Sequence, residues 1–372
     1  MPKSTFSPDA TPRSLPRSLG YSMPAEWHPH AATWIAWPHN PTDWPGKFQP
    51  IPWVYAEIVR HLARVEDVHI LISDAAEKKR AQKILARNGV ALSRVHFHAW
   101  PTNRVWTRDS GPIFVRQSRP SGQEAPVAIT NWKFNAWAKY DDWQHDDKIP
   151  SRVAKLLHLP EWTPEIALDK GKQHRVVLEG GSIDVNGAGV LLTTEECLLS
   201  AVQQRNPGVS RQQLEQCFHE YLGVEQVLWL NRGIAGDDTH GHIDDLARFV
   251  DETTIVISVE ANPDDENHAP LAENLDRLRS ARTLHGQPYR VVALPLPAPV
   301  VFEDQRLPAS YANFYIANGL VLVPTFNDPN DRVALNTLAS LFPWHQIVGI
   351  HCVDFIWGLG ALHCMTQQQP AP

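Results

Sequence analysis

Three observations predict an α/β protein that folds as a single domain. Segments with helical periodicity alternate with short apolar, strand-like segments along the chain. The 372 residues, of which 43% are hydrophobic, can bury a substantial core. The 31 prolines are spread over the whole sequence, so no interdomain linker stands out.

The first helices and strands follow one another in regular order. An apolar helix face lies within residues 58–65, and residues 68–72 (VHILI) follow as a strand. A charged helix that ends near Gly89 comes next, and residues 94–98 resume as a strand. Such alternation indicates strands joined by helical crossovers.

A later helix carries clear signals at both ends. It opens at Ser210 with Gln213 three residues on, the pattern of a capping box, and it ends at Gly223. Two further helices are predicted in the last third of the chain, each followed by an apolar strand. Their apolar positions are Leu271, Leu275 and Leu278, then Ala334, Leu338 and Leu341, and the strands are residues 291–294 and 347–350.

Short strands that each carry a polar residue or a cysteine recur along the chain. We call these five positions the signature residues: Asp109, Glu179, Asp244, Asn313 and Cys364. The gaps between these positions are about 70, 65, 69 and 51 residues. Periods of this size are typical of a propeller or array, in which each unit packs against its neighbours. A doubly wound sheet with evenly spaced loops fits the spacing equally well.

Composition and charge exclude several classes of function. The net charge is −7, with 34 basic and 41 acidic residues, and no basic block suits a nucleic acid. No apolar run reaches the roughly 18 residues of a membrane helix. Residues 1–20 are polar and lack the apolar region of a signal peptide, so we expect a disordered lead-in before a catalytic domain over residues 21–372 in the cytoplasm.

The four cysteines, Cys197, Cys217, Cys352 and Cys364, lie far apart and show no Cys-x-x-Cys pair. We therefore expect reduced thiols. Residues 135–147 are polar and aromatic without clear periodicity, which predicts a long loop of the kind that often covers a site.

Residues 236–245 (GDDTHGHIDD) place six ionisable side chains directly before an apolar segment. If residues 241–250 are extended, His242 and Asp244 point to the same face, where they can carry a proton and bind a cation. A solvated acidic loop is the alternative. A metal site built from His240, His242 and Asp244 is a third interpretation, since these ligand types suit zinc or iron.

Two more carboxylates stand beside glycines. Asp109 lies at a turn just before an apolar strand, where it can instead cap the turn or pair with Arg108. Glu179 lies within an apolar strand that two glycines end, and a carboxylate buried there is costly unless it is paired.

Cys364 is the ninth residue from the end of the sequence, behind a stretch of glycines. A lone cysteine of this kind is ordinarily a packing residue. Its neighbour His363 faces the opposite way if the segment is extended, so the distant His242 is the better candidate for a catalytic partner.

Together these segments resemble the agmatine deiminases and the related bacterial-type peptidylarginine deiminases of the guanidine-modifying, or pentein, superfamily. The resemblance runs through nearly the whole chain, in the family's order. It rests on residues 23–27 (MPAEW), 34–38 (WIAWP), 106–112 (WTRDSGP), 132–137 (WKFNAW), 178–182 (LEGGS), 241–244 (GHID) and 363–370 (HCMTQQQP).

The resemblance implies a five-bladed, pseudo-symmetric α/β propeller with a central site. It implies hydrolysis of agmatine to N-carbamoylputrescine and ammonia, within putrescine biosynthesis, with no metal or organic cofactor. The implied partner is a small cationic guanidino compound. The sequence leaves undecided whether the chain forms a homodimer. The implied roles are nucleophile for Cys364, acid and base for His242, guanidinium binding for Asp109 and Asp244, and a supporting carboxylate at Glu179.

The substrate pocket is implied in the same way. Trp106 is expected to form a wall over the cationic substrate, and Gly360 to permit close approach of the backbone. Asp238 is the candidate to receive the far amine of agmatine.

The sequence departs from the family at Leu359 and Ala361, where glycine and a polar residue are common, and at His240, where Asp or Asn is common. A peptidylarginine deiminase, a metal-dependent hydrolase and a catalytically inactive propeller scaffold are the competing interpretations.

Overall fold

The computed structural model describes residues 14–117, 125–168 and 171–372, and its principal sheets repeat one plan five times. In each sheet an inner strand pairs antiparallel with a middle strand, and the middle strand pairs parallel with an outer strand. A helix fills every crossover from middle to outer strand, as a parallel connection requires. Five separate units, rather than one continuous doubly wound sheet, confirm the predicted α/β propeller.

The first blade joins the two ends of the described chain. Its inner strand, Gln367–Pro370, pairs with the middle strand His30–Ala36, whose other edge carries Asp67–Ile72. A fourth strand, Val95–Ala99, extends the sheet outward. The helices of this blade are Ile51–Leu62 and Ala75–Arg87.

The other blades follow in sequence order, each with its inner, middle and outer strands and its crossover helix. The second has Ile113–Gln117, Val127–Thr130, Glu161–Trp162 and helix Ile149–Leu157, with Tyr21–Ser22 added at its inner edge. The third has Asp184–Val185, Val190–Thr194, Gln226–Leu230 and helices Glu195–Leu199 and Arg211–Leu222. The fourth has Ala247–Phe249, Thr254–Val259, Arg290–Pro295 and helix His268–Ser280. The fifth has Tyr315–Ala317, Leu320–Thr325, Gln346–His351 and helix Pro329–Leu341.

The helix ends agree with the signals in the sequence. Ser210 and Gln213 form the predicted capping box of helix Arg211–Leu222, and Gly223 ends it with φ of 71°. Because such caps satisfy the free N–H and C=O groups of the helix ends, they fix where the helix begins and stops. Two short hairpins lie outside the blades, Glu165–Ala167 with Gln173–Arg175 and Val301–Phe302 with Gln305–Arg306.

Short turns precede the inner strands and meet at the centre of the ring. The turn Thr107–Ser110 packs against Gly180–Ser182, which in turn packs against Ile243–Asp245. The middle strands behind them are buried over most of their length. The polar side chains of the turns face one another at the ring centre, in front of these strands.

The predicted lead-in, residues 1–20, falls mostly outside the described residues. Within its described part, Pro16–Leu19 forms one turn of 3₁₀ helix, Arg17 pairs with Glu225, and Leu19 accepts a hydrogen bond from Gln117. Over the described ranges, the helices are all too short or too polar to cross a bilayer.

Candidate active site

The five signature residues lie just before the five inner strands. Asp109 belongs to the turn Thr107–Ser110, and Asp244 to the 3₁₀ turn Ile243–Asp245. The predicted extended conformation of residues 241–250 is therefore wrong, and the strand begins only at Ala247. The reason is local, because the backbone N–H groups of Gly241 and His242 donate to the Asp237 carboxylate and hold this segment in a turn.

Glu179 also departs from the strand predicted around it. Its backbone is extended, but it immediately precedes the 3₁₀ turn Gly180–Ser182, and the strand Asp184–Val185 follows later. The two glycines allow the close approach. A Cβ on Gly181 would lie 2.6 Å from His242 Nδ1 and 2.7 Å from Asp109 Oδ1.

His242 is fully buried among three carboxylates. Its Nδ1 lies 3.7 Å from Asp109 Oδ1 and 3.9 Å from Asp244 Oδ1, and its Nε2 lies 3.8 Å from Glu179 Oε2. Burial lowers the pKa of the ring, but Asp109, Cys197 and Glu179 outweigh it and hold the pKa well above its usual value. The imidazole is therefore a cation at neutral pH.

Cys364 lies on the other side of Asp244 from His242. Its Sγ is 3.6 Å from Asp244 Oδ2, and the side chain is buried. Burial and the nearby carboxylates of Asp244, Asp245 and Asp109 raise the pKa of the thiol well above its usual value. Without a bound cation the residue is a neutral thiol.

Asp109 is held by two donors. Its Oδ1 accepts from the Gly181 backbone N–H at 3.0 Å, and its Oδ2 accepts from Trp137 Nε1 at 2.8 Å. Burial, opposed by His242 and reinforced by Asp244 and Glu179, raises the pKa of this carboxyl to about 6. The predicted pairing with Arg108 does not form, because Arg108 is directed to Glu26.

Glu179 has a cationic partner that the sequence analysis missed. Arg205 Nε donates to Glu179 Oε1 at 3.1 Å, and both side chains are fully buried. Burial raises the pKa of Glu179, but Arg205 and His242 prevail and bring it to about 2. Arg205 stands alone in a polar loop, so no pattern in the sequence singles it out.

A second missed network lies behind Asp244. His363 Nδ1 is 2.7 Å from Asp244 Oδ2, and its Nε2 is 2.7 Å from Glu26 Oε2. Arg248 Nη2 donates to the same Glu26 oxygen at 2.9 Å. Residues 362–365 form a turn, and His363 Nδ1 and Cys364 Sγ both approach Asp244 Oδ2, so the extended segment on which the two side chains would face opposite ways is not present. His363 fixes the carboxylate that lies between Cys364 and His242.

A pocket opens from Asp109 and Cys364 toward the surface, with Trp106 and Trp137 as walls. Gly360 allows Trp106 to close in, since a Cβ there would lie 2.8 Å from the indole. The residues at the mouth are Asp43, Arg104, Lys139, Tyr140 and Asp238. The predicted loop over residues 135–147 supplies Trp137 and Tyr140, and three successive residues of it, 136–138, have positive φ.

The mouth is built from ion pairs. Asp238 pairs with Lys139 and accepts a hydrogen bond from the Tyr140 hydroxyl at 2.8 Å. Asp43 Oδ1 accepts from Arg104 at 2.8 Å, whereas Asp43 Oδ2 is buried without a partner among the described residues. Burial raises the pKa of Asp43 to about 6. No motif in the sequence marks Asp43 as a site residue.

His240 does not join His242 and Asp244. Its Nε2 lies 3.2 Å from Ser200 Oγ, in a separate surface depression beside Glu196. The metal site of His240, His242 and Asp244, which was one of three interpretations of this segment, is therefore not assembled. In the described part of the chain, two other groups bring potential metal ligands together, Glu179 with Cys197 and His242, and Asp244 with Asp245 and Cys364.

Comparison with known proteins places this geometry in a family. The model of the Porphyromonas-type peptidyl-arginine deiminases matches residues 22–370. The chain belongs to this family. An agmatine deiminase of Stutzerimonas stutzeri is 34% identical to it, over 96% of this chain and 98% of that protein.

Solved structures agree with the family model. The agmatine deiminase of Enterococcus faecalis superposes with a TM-score of 0.85 at 29% identity, over 96% of this chain and 98% of that one. A substrate-bound agmatine deiminase variant of C. jejuni gives a TM-score of 0.80 at 29% identity, with 94% and 96% covered.

At two of the three departures from the usual deiminase pattern, the backbone conformation favours the residue that is common in the family. Leu359 has φ of 66°, in the left-handed region where glycine carries no steric cost. His240 also has φ of 66°, and Asn or Asp tolerates this region better than most residues. Ala361 is fully buried. Leu359 lines the pocket, where its side chain takes the place of the glycine that is common in the family.

Proposed function

We propose that this protein hydrolyses agmatine to N-carbamoylputrescine and ammonia through a covalent amidino intermediate on Cys364. The observation that carries the proposal is the buried group of Asp109, Glu179 and Asp244 around His242, beside a thiol. Only Glu179 has an arginine partner, so two carboxylates stay available to a planar cation from outside.

Asp109 and Asp244 bind the guanidinium from opposite sides. Charge-assisted hydrogen bonds between N–H groups and carboxylates are strong, and two of them fix the plane of the guanidinium. Trp106 covers the cation with its aromatic face. The central carbon then lies beside the sulfur of Cys364, which is itself 3.6 Å from Asp244.

Substrate binding activates the nucleophile. The raised pKa of the empty-site thiol has its origin in burial and in unneutralised carboxylates. A bound guanidinium neutralises those charges and lowers the thiol pKa, so the proton leaves to solvent and the thiolate forms next to its target. The thiolate attacks the carbon and gives a neutral tetrahedral adduct.

His242 supplies the proton that lets ammonia leave the tetrahedral adduct. The carboxylates keep its imidazole charged, so it protonates one amino group of the adduct, and the C–N bond breaks to release ammonia. A cationic amidino thioether remains on Cys364, and His242 is neutral.

The neutral His242 acts as the base in the second half. It takes a proton from water as the oxygen attacks the amidino carbon. Collapse of this adduct breaks the C–S bond, releases the ureido product, and returns the remaining proton to the sulfur. The cycle uses side chains of this chain and water.

We place the far amine of agmatine between Asp238 and Asp43 at the mouth of the pocket. Asp238 already contacts Lys139 and Tyr140, whereas Asp43 Oδ2 lacks a partner among the described residues and is buried beside the channel. A substrate ammonium is the kind of group that stabilises an ionised carboxylate there. All four cysteines are free thiols, as is typical of proteins in a reducing compartment, which supports a cytoplasmic location.

A panel of guanidino compounds tests the substrate. Ammonia release is measured for agmatine, free arginine and a peptide with C-terminal arginine, under identical conditions. We expect kcat/KM for agmatine to exceed the other two by at least about 100-fold, since each lost charge pair costs a tenfold or more. Turnover of the peptide alone would assign a peptidylarginine deiminase, and no turnover at all would favour the scaffold interpretation.

A further inference from the structure

Asn313 is the signature residue of the fifth blade, and the proposed reaction leaves it without a role. It precedes the inner strand Tyr315–Ala317, as Asp109, Asp244 and Cys364 precede theirs. Its side chain is fully buried. The repeat therefore delivers an amide to the position where other blades deliver a carboxylate or the thiol.

The amide of Asn313 contacts both the backbone and the sulfur of the nucleophile. Its Oδ1 accepts from the backbone N–H of His363 at 2.9 Å and of Cys364 at 3.3 Å. Its Nδ2 lies 3.1 Å from Cys364 Sγ. One side chain thus fixes the backbone of Cys364 and directs an N–H at the reacting atom.

The surroundings fix which end of the amide is nitrogen. Two backbone N–H donors face one end, so that end is the oxygen. At the other end Asp245 Oδ1 accepts from Nδ2 at 2.9 Å. Asp245 therefore prevents the amide from turning over and presenting its oxygen to the sulfur.

An N–H directed at sulfur favours the thiolate, because a charged acceptor forms a stronger hydrogen bond than a neutral one. Such a donor is needed because the carboxylates of Asp244, Asp245 and Asp109 oppose a charge on the sulfur.

We propose that Asn313 is the thiolate-binding residue of this enzyme and that Asp245 is the positioning residue that orients its amide toward Cys364. This inference rests on the proposed function, in which Cys364 is the nucleophile. It adds a hydrogen-bond donor to a site that otherwise surrounds the sulfur with acceptors.

The test measures the reactivity of Cys364 directly. The rate of alkylation by iodoacetamide is followed against pH by mass mapping of the Cys364 peptide, with no substrate present. We expect Asn313→Asp, which keeps the shape but removes the N–H, to slow alkylation at neutral pH by at least about tenfold, equivalent to one pKa unit. In the agmatine assay kcat should fall by at least about 100-fold with KM within about threefold.

Asn274→Asp is the matched control. Asn274 is equally buried, accepts from Asn231 N–H and donates to the Arg232 carbonyl, away from the site. It should lose thermal stability while its alkylation profile stays that of the wild type. If Asn313→Asp behaved in the same way, with normal alkylation and a lower Tm only, the proposal would be overturned.

Two Asp245 variants test the orientation of the Asn313 amide even if Asn313→Asp does not fold. Asp245→Asn retains an acceptor oxygen for the amide and should keep alkylation within about twofold of wild type. Asp245→Leu has a similar shape without an acceptor and should slow alkylation about tenfold. Equal behaviour of the two variants would contradict the positioning role. Because alkylation needs no substrate, failure of the guanidino panel would count against the proposed function alone.

Discussion

The floor and the mouth of the pocket are built on different physical principles. At the floor, Asp109, His242 and Asp244 are fully buried, and their charged atoms stand 3.7 to 3.9 Å apart, beyond hydrogen-bond length. At the mouth, Lys139 and Asp238 form an ion pair that reaches solvent. The charged groups of the floor are spaced so that they can receive a further charge, whereas those of the mouth are paired with one another, except at Asp43 Oδ2.

This difference assigns the chemistry to the floor and the choice of substrate to the mouth. Interactions in a dry site are strong and poorly screened, so a loss there stops the reaction. Exposed pairs are worth about 1 kcal/mol or less, so changes there alter affinity by modest factors. Substitutions in the two regions should therefore separate kcat from KM.

The largest effect is expected at the nucleophile. Cys364→Ser should lower kcat by at least about 10⁴-fold, because a buried hydroxyl is a far weaker nucleophile than a thiolate. Ammonia release and a thermal melt are measured together, and the melt should not change.

Cys352→Ser provides the comparison for Cys364→Ser. Cys352 is buried in the core, where a hydroxyl costs about 1–3 kcal/mol without a partner, so this variant should lose stability and keep its activity. A Cys364→Ser enzyme with near-normal kcat would contradict the assignment of the nucleophile.

The pH profile tests the carboxylate floor. Asp109 must be ionised to hold the guanidinium, and burial raises its pKa to about 6. We expect log(kcat/KM) to rise through the neutral range, since the pKa of the Cys364 thiol is raised as well, and to fall more steeply below pH about 6.

Glu179 should not add to this acid limb, because its depressed pKa of about 2 keeps it ionised throughout. Its contribution to folding stability is instead lost as the pH falls from its ordinary pKa toward about 2. Samples returned to neutral pH serve to exclude acid inactivation. A flat kcat/KM between pH about 5 and 8 would argue against the floor described here.

A smaller effect is expected at the mouth. Asp238→Asn and Asp43→Asn should each raise the KM for agmatine by about tenfold and leave kcat within about twofold, because they remove binding that is common to substrate and transition state. Steady-state assays measure both constants. Asp276→Asn, an exposed carboxylate on helix His268–Ser280, is the control. A fall in kcat without a change in KM would place these residues in the chemistry instead.

The smallest effect is expected at Leu359. Leu359→Gly relieves about 1 kcal/mol of left-handed strain but frees the unfolded chain by a similar amount, so urea unfolding should change by less than about 1 kcal/mol. Leu284→Gly, at an exposed leucine that is not among the positive-φ residues, should destabilise by about 0.5–1 kcal/mol. A larger loss at Leu359 than at Leu284 would mean that its side chain packs against the pocket wall for stability.

Much of the fold could be predicted from the sequence, because helices and strands depend on the residues within and next to them. Caps such as Ser210 and Gly223 and the apolar periods gave helices and strands close to those observed. The spacing of polar residues indicated a repeat but left the architecture open. The family resemblance then supplied the propeller, and the paired sheets confirmed it.

The site was less fully predictable, for physical reasons. Arg205, Glu26 and Asp43 act through contacts with residues far away in the sequence, and a lone polar residue in a loop gives no periodic signal. His240 was wrongly grouped with His242 because alternation applies only to an extended chain. Here the Asp237 carboxylate holds the segment in a turn, which separates the two rings.

The central claim is that Cys364 attacks a guanidinium carbon held by the carboxylate floor. The most direct measurement is intact and peptide mass spectrometry of His242→Ala after mixing with agmatine. This variant lacks the acid and base, so both formation and hydrolysis of the Cys364 adduct should be slow. Hydrolysis should be the slower of the two, because it requires the activation of water. We expect an adduct with the mass of agmatine less ammonia on the Cys364 peptide. An adduct on another residue, or ammonia release by this variant at the wild-type rate, would contradict it.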